Sequence, residues 1–169
     1  MTISIVSKKV PWAVDLENRA VRFARDKMHQ SHVDVVHYLY ALSVAPVHET
    51  QAQQFNGVTA LRPIVIEEAV RRSLLNHRDT RVTASEMPLT EEARRMLEIA
   101  SIMAQDRHRN SFEPGGPKLY PNDYIVGILL SKSEPVVDLM EMVGVPVATI
   151  LRRLEITLSY TVRELSASV

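Results

Sequence analysis

The sequence has no cysteine. Disulfides, thiolate nucleophiles and cysteine-ligated zinc are therefore excluded. Glycine is scarce, with five in all, and the Gly-Gly pair in "EPGGPK" at 113–118 lacks the Gly-Lys-Ser/Thr of a phosphate-binding loop. Nucleotide hydrolysis by this chain alone is not expected. Neither sign of charge is in surplus, since 20 Lys and Arg face 20 Asp and Glu. General affinity for nucleic acid needs a basic excess, and no helix-turn-helix is recognisable, so a DNA-binding regulator is disfavoured. No run approaches the ~20 apolar residues of a membrane-spanning helix. The start, "MTISIVSKKVPW", lacks the apolar stretch of a secretion signal. The expectation is a soluble, cytoplasmic protein with no cofactor, binding neither nucleic acid nor membrane.

What remains is a 169-residue chain, 46% apolar and 24% charged, enough for one compact domain or two small ones closely packed. The apolar spacing is helical almost throughout. Leu16, Ala20, Phe23, Ala24 and Met28 predict a helix over roughly 13–29. Asp34 is a suitable N-cap for a helix carrying Val35, Val36, Leu39 and Leu42. A short helix is predicted over 48–55, with Asn56-Gly57 as its stop. Pro63 suits the first position of the next helix, which buries Ile64, Ile66, Val70 and Leu74 or Leu75. Residues 77–88 read as a linker. Thr90 caps a strong helix with Glu91 and Glu92 at its positive end. After the loop "RNSFEPGGPKLYP" come helices over 122–132 and 134–143, the second stopped by Gly144. Val147, Ile150, Leu151, Leu154 and Leu158 mark a last helix running on toward Leu165. "SIV" and "ITLSYTV" are β-prone but short.

The chain also repeats itself. "FNGVTALRP" at 55–63 matches "MVGVPVATI" at 142–150, and "VHYLYAL" matches "NDYIVGI". His37 and Gly57 in the first half correspond to Asp123 and Gly144 in the second. The organisation that follows is an N-terminal arm (1–12), a first repeat (13–76), the linker (77–88), a second repeat (89–158) and a C-terminal extension (159–169). This order resembles the Clp N-terminal domain family, the doubled helical module that precedes the ATPase rings of Clp chaperones and unfoldases. "VDVVHYLYAL" fits the family's repeat, and "MPLTEEARRMLEIASIMAQDR" fits the opening of its second repeat. The resemblance covers about 15–156. It implies an all-α fold in which two four-helix repeats, related by a pseudo-twofold, pack as one bundle.

It also implies a role: a non-catalytic module that recruits substrates or adaptor proteins to a AAA+ Clp ATPase. The partners it implies are unfolded or apolar protein segments, adaptors, and the ATPase itself, in cis or in trans. The groove positions carried over from the family are Leu97, Ile99 and Tyr124. Leu97 shares a stripe with Ala93, Ala100 and Ala104 and so belongs to the core, which leaves Ile99 as the expected exposed contact. Tyr124 can stack while showing its hydroxyl to water. His37, Asp123, Gly57 and Gly144 are structural anchors of the repeat. Some relatives recognise phosphoarginine with a Glu before each repeat histidine. Here those positions are Val36 and Asn122, so phosphoarginine binding is not expected.

Two other readings stay open. The chain could be a stand-alone regulator of a Clp machine, or the N-domain of a Clp ATPase that dismantles secretion sheaths. A different class is a metal-dependent enzyme built on His29, His32, Asp34 and His37. Those residues lack the i, i+4 spacing and the Glu of a metal-binding helix, and a metal needs three or four converging ligands. His37 therefore reads as a structural residue bonding the helix start. In the inserted loop, Phe112 and Tyr120 either touch a partner or pin the loop. Met96, Met103, Met140 and Met142, at helical spacing, are expected to fill core.

Overall fold

The computed structural model describes residues 10–45, 50–74, 87–111 and 113–167. Among these the fold is all-α, with one isolated parallel bridge and no strand. The helices are α1 (Pro11–Arg22), α2 (Val35–Ser43), α3 (Thr50–Thr59), α4 (Pro63–Leu74), α5 (Glu91–Asn110), α6 (Pro121–Leu130), α7 (Glu134–Val143), α8 (Val147–Arg153) and α9 (Tyr160–Ala167). Both "SIV" and most of the linker, residues 77–86, lie outside the described residues.

Helix α1 starts at a proline, whose fixed φ suits the first turn. Ala13, Leu16 and Ala20 form its buried stripe. It runs on as one π-helical turn, Phe23–Lys27, and Phe23 there stacks on Tyr40 with ring centroids 3.6 Å apart. Helix α2 is buried nearly all round, from Val35 to Leu42. A helix in that position cannot leave its first N–H groups to water, so its start is closed by side chains. The Asp34 carboxylate accepts from the Val35 N–H at 2.7 Å, and His37 Nδ1 accepts from the Asp34 N–H at 2.8 Å.

The same carboxylate ties the two halves of the chain together. Asp34 Oδ1 accepts from the Thr90 hydroxyl at 3.0 Å, and Thr90 Oγ1 in turn accepts from the Ala93 N–H at 3.1 Å. One hydroxyl therefore caps α5 while bonding the cap of α2. The backbone adds the Val33–Leu89 bridge, with Val33 N–H donating to Pro88 at 2.9 Å and Thr90 N–H donating to Val33 at 3.0 Å. The end of the linker is thus pinned to the start of α2.

Helix α6 packs closely against α5. Gly127 of α6 lies against the Met96 backbone of α5, and a Cβ at 127 would run into the Met96 carbonyl oxygen. Tyr38 and Tyr124, matched positions in the sequence repeat, pack 6.4 Å apart between ring centroids. The Tyr124 hydroxyl donates to Glu17 of α1 at 3.0 Å, and the edge of Trp12 meets its ring at 5.7 Å.

Two expectations about helix ends fail. Gly57 does not stop α3; the helix runs through it to Thr59, and the left-handed residue that ends it is Ala60, at φ 54°. The Asn56 side chain, which would otherwise help a stop there, instead donates to the Leu42 carbonyl at 3.1 Å. Gly144, by contrast, does end α7, at φ 70°. The next helix starts three residues after each left-handed position, at Pro63 and at Val147. Ala60, not Gly57, is therefore the position that does what Gly144 does. The last predicted helix also breaks in two. Glu155 is left-handed at φ 56°, and the Ile156 N–H reaches back to the Leu151 carbonyl at 2.9 Å. That is the bonding of a Schellman stop without glycine. Residues 156–159 are then irregular, and α9 begins afresh at Tyr160.

Candidate functional site

The histidine cluster resolves into separate jobs. His37 is fully buried, and its Nδ1 is committed to the α2 cap, so the proton of the neutral ring sits on Nε2. Burial, with His32 adding to it, lowers its pKa to about 3. Asp34 spends its carboxylate on Val35 and Thr90. His29 is exposed, at φ 53°, beyond the end of the α1 helix, and His32 pairs with Ser31. Among the described residues no three His, Asp or Glu come together as metal ligands.

Asp123 does in the second half what His37 does in the first. Its Oδ2 accepts from the Tyr120 N–H at 2.8 Å, closing the start of α6 three residues upstream. A carboxylate brings a buried charge to that task, and the chain answers it with Arg107. The guanidinium donates to Asp123 in two bonds, 2.6 and 2.9 Å, to the Lys118 carbonyl at 2.6 Å and to Glu113 at 3.2 Å. It also lies over the Tyr120 ring, 4.6 Å from the centroid. Burial pushes the Asp123 carboxyl up, and Arg107 opposes that shift. Tyr120 therefore pins the inserted loop, whereas Phe112 lies outside the described residues. A polar cleft of about 420 Å³ opens beside this cluster, between α5, α6 and residues 155–159. Its cation, Arg107, is already committed to the loop and to Asp123.

The carried-over groove residues do not form an exposed site. Ile99 is only 4% exposed, and Tyr124 has no exposed surface. The expectation that Ile99 turns outward fails because α5 is covered on more than one side, by α2, α6 and α9. Tyr124 fails because its hydroxyl is satisfied internally by Glu17. Of the three, Leu97 is the one that keeps partial exposure. Val36 is buried in the core, and the Asn122 N–H is bonded to Gln51.

An apolar groove instead opens on the opposite end of α6, with a volume of about 290 Å³. Ile128 and Leu129 form its floor. One wall is α7, through Val136, Val137 and Met140. The other is the α7–α8 turn, Gly144 to Val147. Three locally determined features make it. Pro135 and Ser133 start α7 sharply after α6. Gly144 takes the left-handed φ that turns the chain back, a conformation costly for any residue with a Cβ. Pro146 then holds the turn extended before α8. Val137 is 40% exposed and Met142, beyond it on α7, 62%. Met96, Met103 and Met140 are buried as expected, so Met142 is the methionine that departs from core filling.

No family model matches the chain, and no curated protein matches it. Solved structures do. The Hsp104 N-terminal domain from Candida albicans superposes over 88% of this chain and 89% of its own, with a TM-score of 0.62 at 17% identity. A chain from a malarial protein secretion system superposes over 88% of this chain and 93% of its own, with a TM-score of 0.61 at 14% identity. The chain has the Clp N-domain fold. Among the described residues of this Clp N-domain fold, no helix is long and apolar enough to cross a membrane.

Proposed function

We propose that this chain is a non-catalytic protein-binding module of the Clp N-domain type, recruiting substrates or adaptors for a cytoplasmic AAA+ Clp chaperone or unfoldase. The observation that carries the reading is the apolar groove between α6, α7 and α8 on a fold of that type. Aliphatic walls with few polar groups suit insertion of apolar side chains from a protein segment. The volume, about 290 Å³, admits a few side chains. We read the two runs of helices as a duplicated unit, with the matched residues Tyr38 and Tyr124 meeting between them.

The test is binding of a chemically unfolded model protein to the wild-type chain and to Val137→Asp and Leu97→Asp. Val137 is exposed enough to accept a carboxylate without unfolding the domain. Val137→Asp is expected to weaken binding, and Leu97→Asp to leave it unchanged. Unchanged binding by a correctly folded Val137→Asp variant would remove the groove from the account.

A further inference from the structure

Helix α7 is acidic along one stripe. Glu134, Asp138 and Glu141 are all exposed, and their i, i+4, i+7 spacing places them on one face. Glu141 itself lines the apolar groove, and Val137, on the next row, is part of its wall. The stripe therefore runs along the groove's lip. None of the three carboxylates is in an ion pair among the described residues; the pairs there lie at Arg25–Asp26, Lys27–Glu67–Arg71, Arg72–Glu68, Arg107 and Arg109–Asp106. The cation in the groove's lining is Lys132, at one end. On α4, which packs against α7, Arg71 and Arg72 are bonded to Glu67 and Glu68 of their own helix. Arg152 and Arg153 sit at the last turn of α8, past the Val147 that reaches the groove. The lip is thus a row of three anions beside an apolar trough.

We propose that the groove takes a protein segment whose aliphatic side chains are flanked by Lys or Arg, the basic groups lying over Glu134, Asp138 and Glu141. This rests on the docking role above and names the chemistry of what docks. Complementary rim charges speed encounter and select partners, while the apolar anchors supply the contact area.

The experiment uses the whole chain, labelled with nitrogen-15, and three short peptides of equal length. One is built of leucine and lysine, one of leucine and glutamate, and one of serine and lysine. Amide shifts of Val137, Gly144 and Val145 report the groove. The leucine–lysine peptide is expected to saturate those shifts at roughly tenfold lower concentration than the leucine–glutamate peptide, each of three rim pairs giving a factor of about two. That preference should shrink as salt is raised and invert in the Glu134→Lys/Asp138→Lys/Glu141→Lys variant, whose thermal midpoint should stay near wild type because all three side chains are exposed. Equal binding of both leucine peptides would overturn the charge inference and leave the docking role standing. Absence of shifts at the groove with either one would overturn both. Equal binding of the serine–lysine peptide would reduce the site to an acidic surface and overturn the proposal. A mass of the free chain that rises with concentration, and no longer does so in Val137→Asp, would assign the groove to a second copy and overturn it as well.

Discussion

Replacing Gly127 by alanine sets two effects of known sign against each other. Gly127 lies inside α6, and a helix-interior Gly→Ala change stabilises by about 1 kcal/mol through backbone propensity. The added Cβ, however, meets the Met96 carbonyl oxygen well inside any allowed contact, with Met96 Cγ at 3.0 Å and the carbonyl carbon at 3.2 Å. Ordinary contact begins at 3.4 Å. The obstacle is backbone inside a 20-residue helix, so it cannot be relieved by a side-chain rotation. Either α5 and α6 separate or α6 rotates, and both disturb the buried residues around Met96, Ala100, Ile125 and Ile128. Overpacking of this kind costs about 1–3 kcal/mol and sometimes more. A collision with backbone belongs at the upper end, so a net loss of about 2 kcal/mol is expected. For a domain of this size that lowers the melting midpoint by roughly 4–8 °C.

Gly57→Ala is the internal control. It is also a helix-interior glycine, but a Cβ there meets nothing within 4 Å. Propensity acts alone, and stabilisation by about 0.5–1 kcal/mol is expected. Thermal and urea unfolding followed by circular dichroism would measure both variants. A Gly127→Ala variant as stable as Gly57→Ala would refute the close α5–α6 approach.

Other expectations follow from the buried polar groups. Arg107→Ala leaves Asp123 buried without its guanidinium, and a loss of about 3 kcal/mol is expected in urea unfolding at neutral pH; Arg107→Lys should recover only part of it, since an ammonium cannot make the two-bond contact. The sign with pH is also set. Losing Arg107 raises the folded Asp123 pKa further, so the variant should regain stability relative to wild type as pH falls and Asp123 takes up a proton. His37 works in the opposite sense. Its pKa is about 3 folded against an ordinary 6.5, so the unfolded chain binds the extra proton between those values. Its contribution is present above 6.5 and is lost as pH falls toward 3, with a limiting slope of about 1.4 kcal/mol per pH unit. A stability profile in which His37→Gln shows the same acid limb as wild type would refute that assignment. Gly144→Ala, at φ 70°, should cost about 1 kcal/mol and loosen the turn that walls the groove.

The helices were legible in the sequence because their buried stripes are long and regular. Thr90, Asp34 and Gly144 announced their ends by residue type. Where the sequence misled, a residue's usual signal was overruled by a contact from far along the chain. Asn56-Gly57 reads as a stop, yet Asn56 is bonded to the end of α2, and the stop falls on Ala60, a residue with no left-handed preference. Glu155 ends α8 in the same unannounced way. Ile99 and Tyr124 were misplaced for a related reason. One helix's periodicity shows which face is apolar, but not how many neighbours cover it. His37 and Asp123 show the converse. Their alignment in the repeat is not a likeness of side chains, yet both accept the N–H three residues upstream. The two residues close a helix start in the same way with different chemistry, and Arg107 answers the charge that the carboxylate brings.

The groove was invisible in the sequence because Ile128, Leu129, Val136 and Met140 are buried over most of their surface, and apolar spacing along single helices does not reveal a trough between them. Its size also constrains how it works. Burying about two aliphatic side chains gains roughly 3–6 kcal/mol. Association of two molecules costs an estimated 4–15 kcal/mol. At best this leaves about 2 kcal/mol, so a single groove on a free domain is a weak site of roughly tens of millimolar or poorer, which three rim charge pairs at about 0.2–1 kcal/mol each bring toward the millimolar range. Weak sites become effective when several are held together, since tethering raises the local concentration of the second contact into the millimolar range. A tandem fusion of two domains through a flexible linker should bind a peptide carrying two leucine–lysine stretches roughly a few-fold more tightly than one domain binds one stretch, the gain being set by the millimolar local concentration relative to the single-site Kd. If the fusion gains nothing over the single domain, the groove does not work by display in multiple copies, and the proposed service to a multi-subunit ATPase loses its energetic basis.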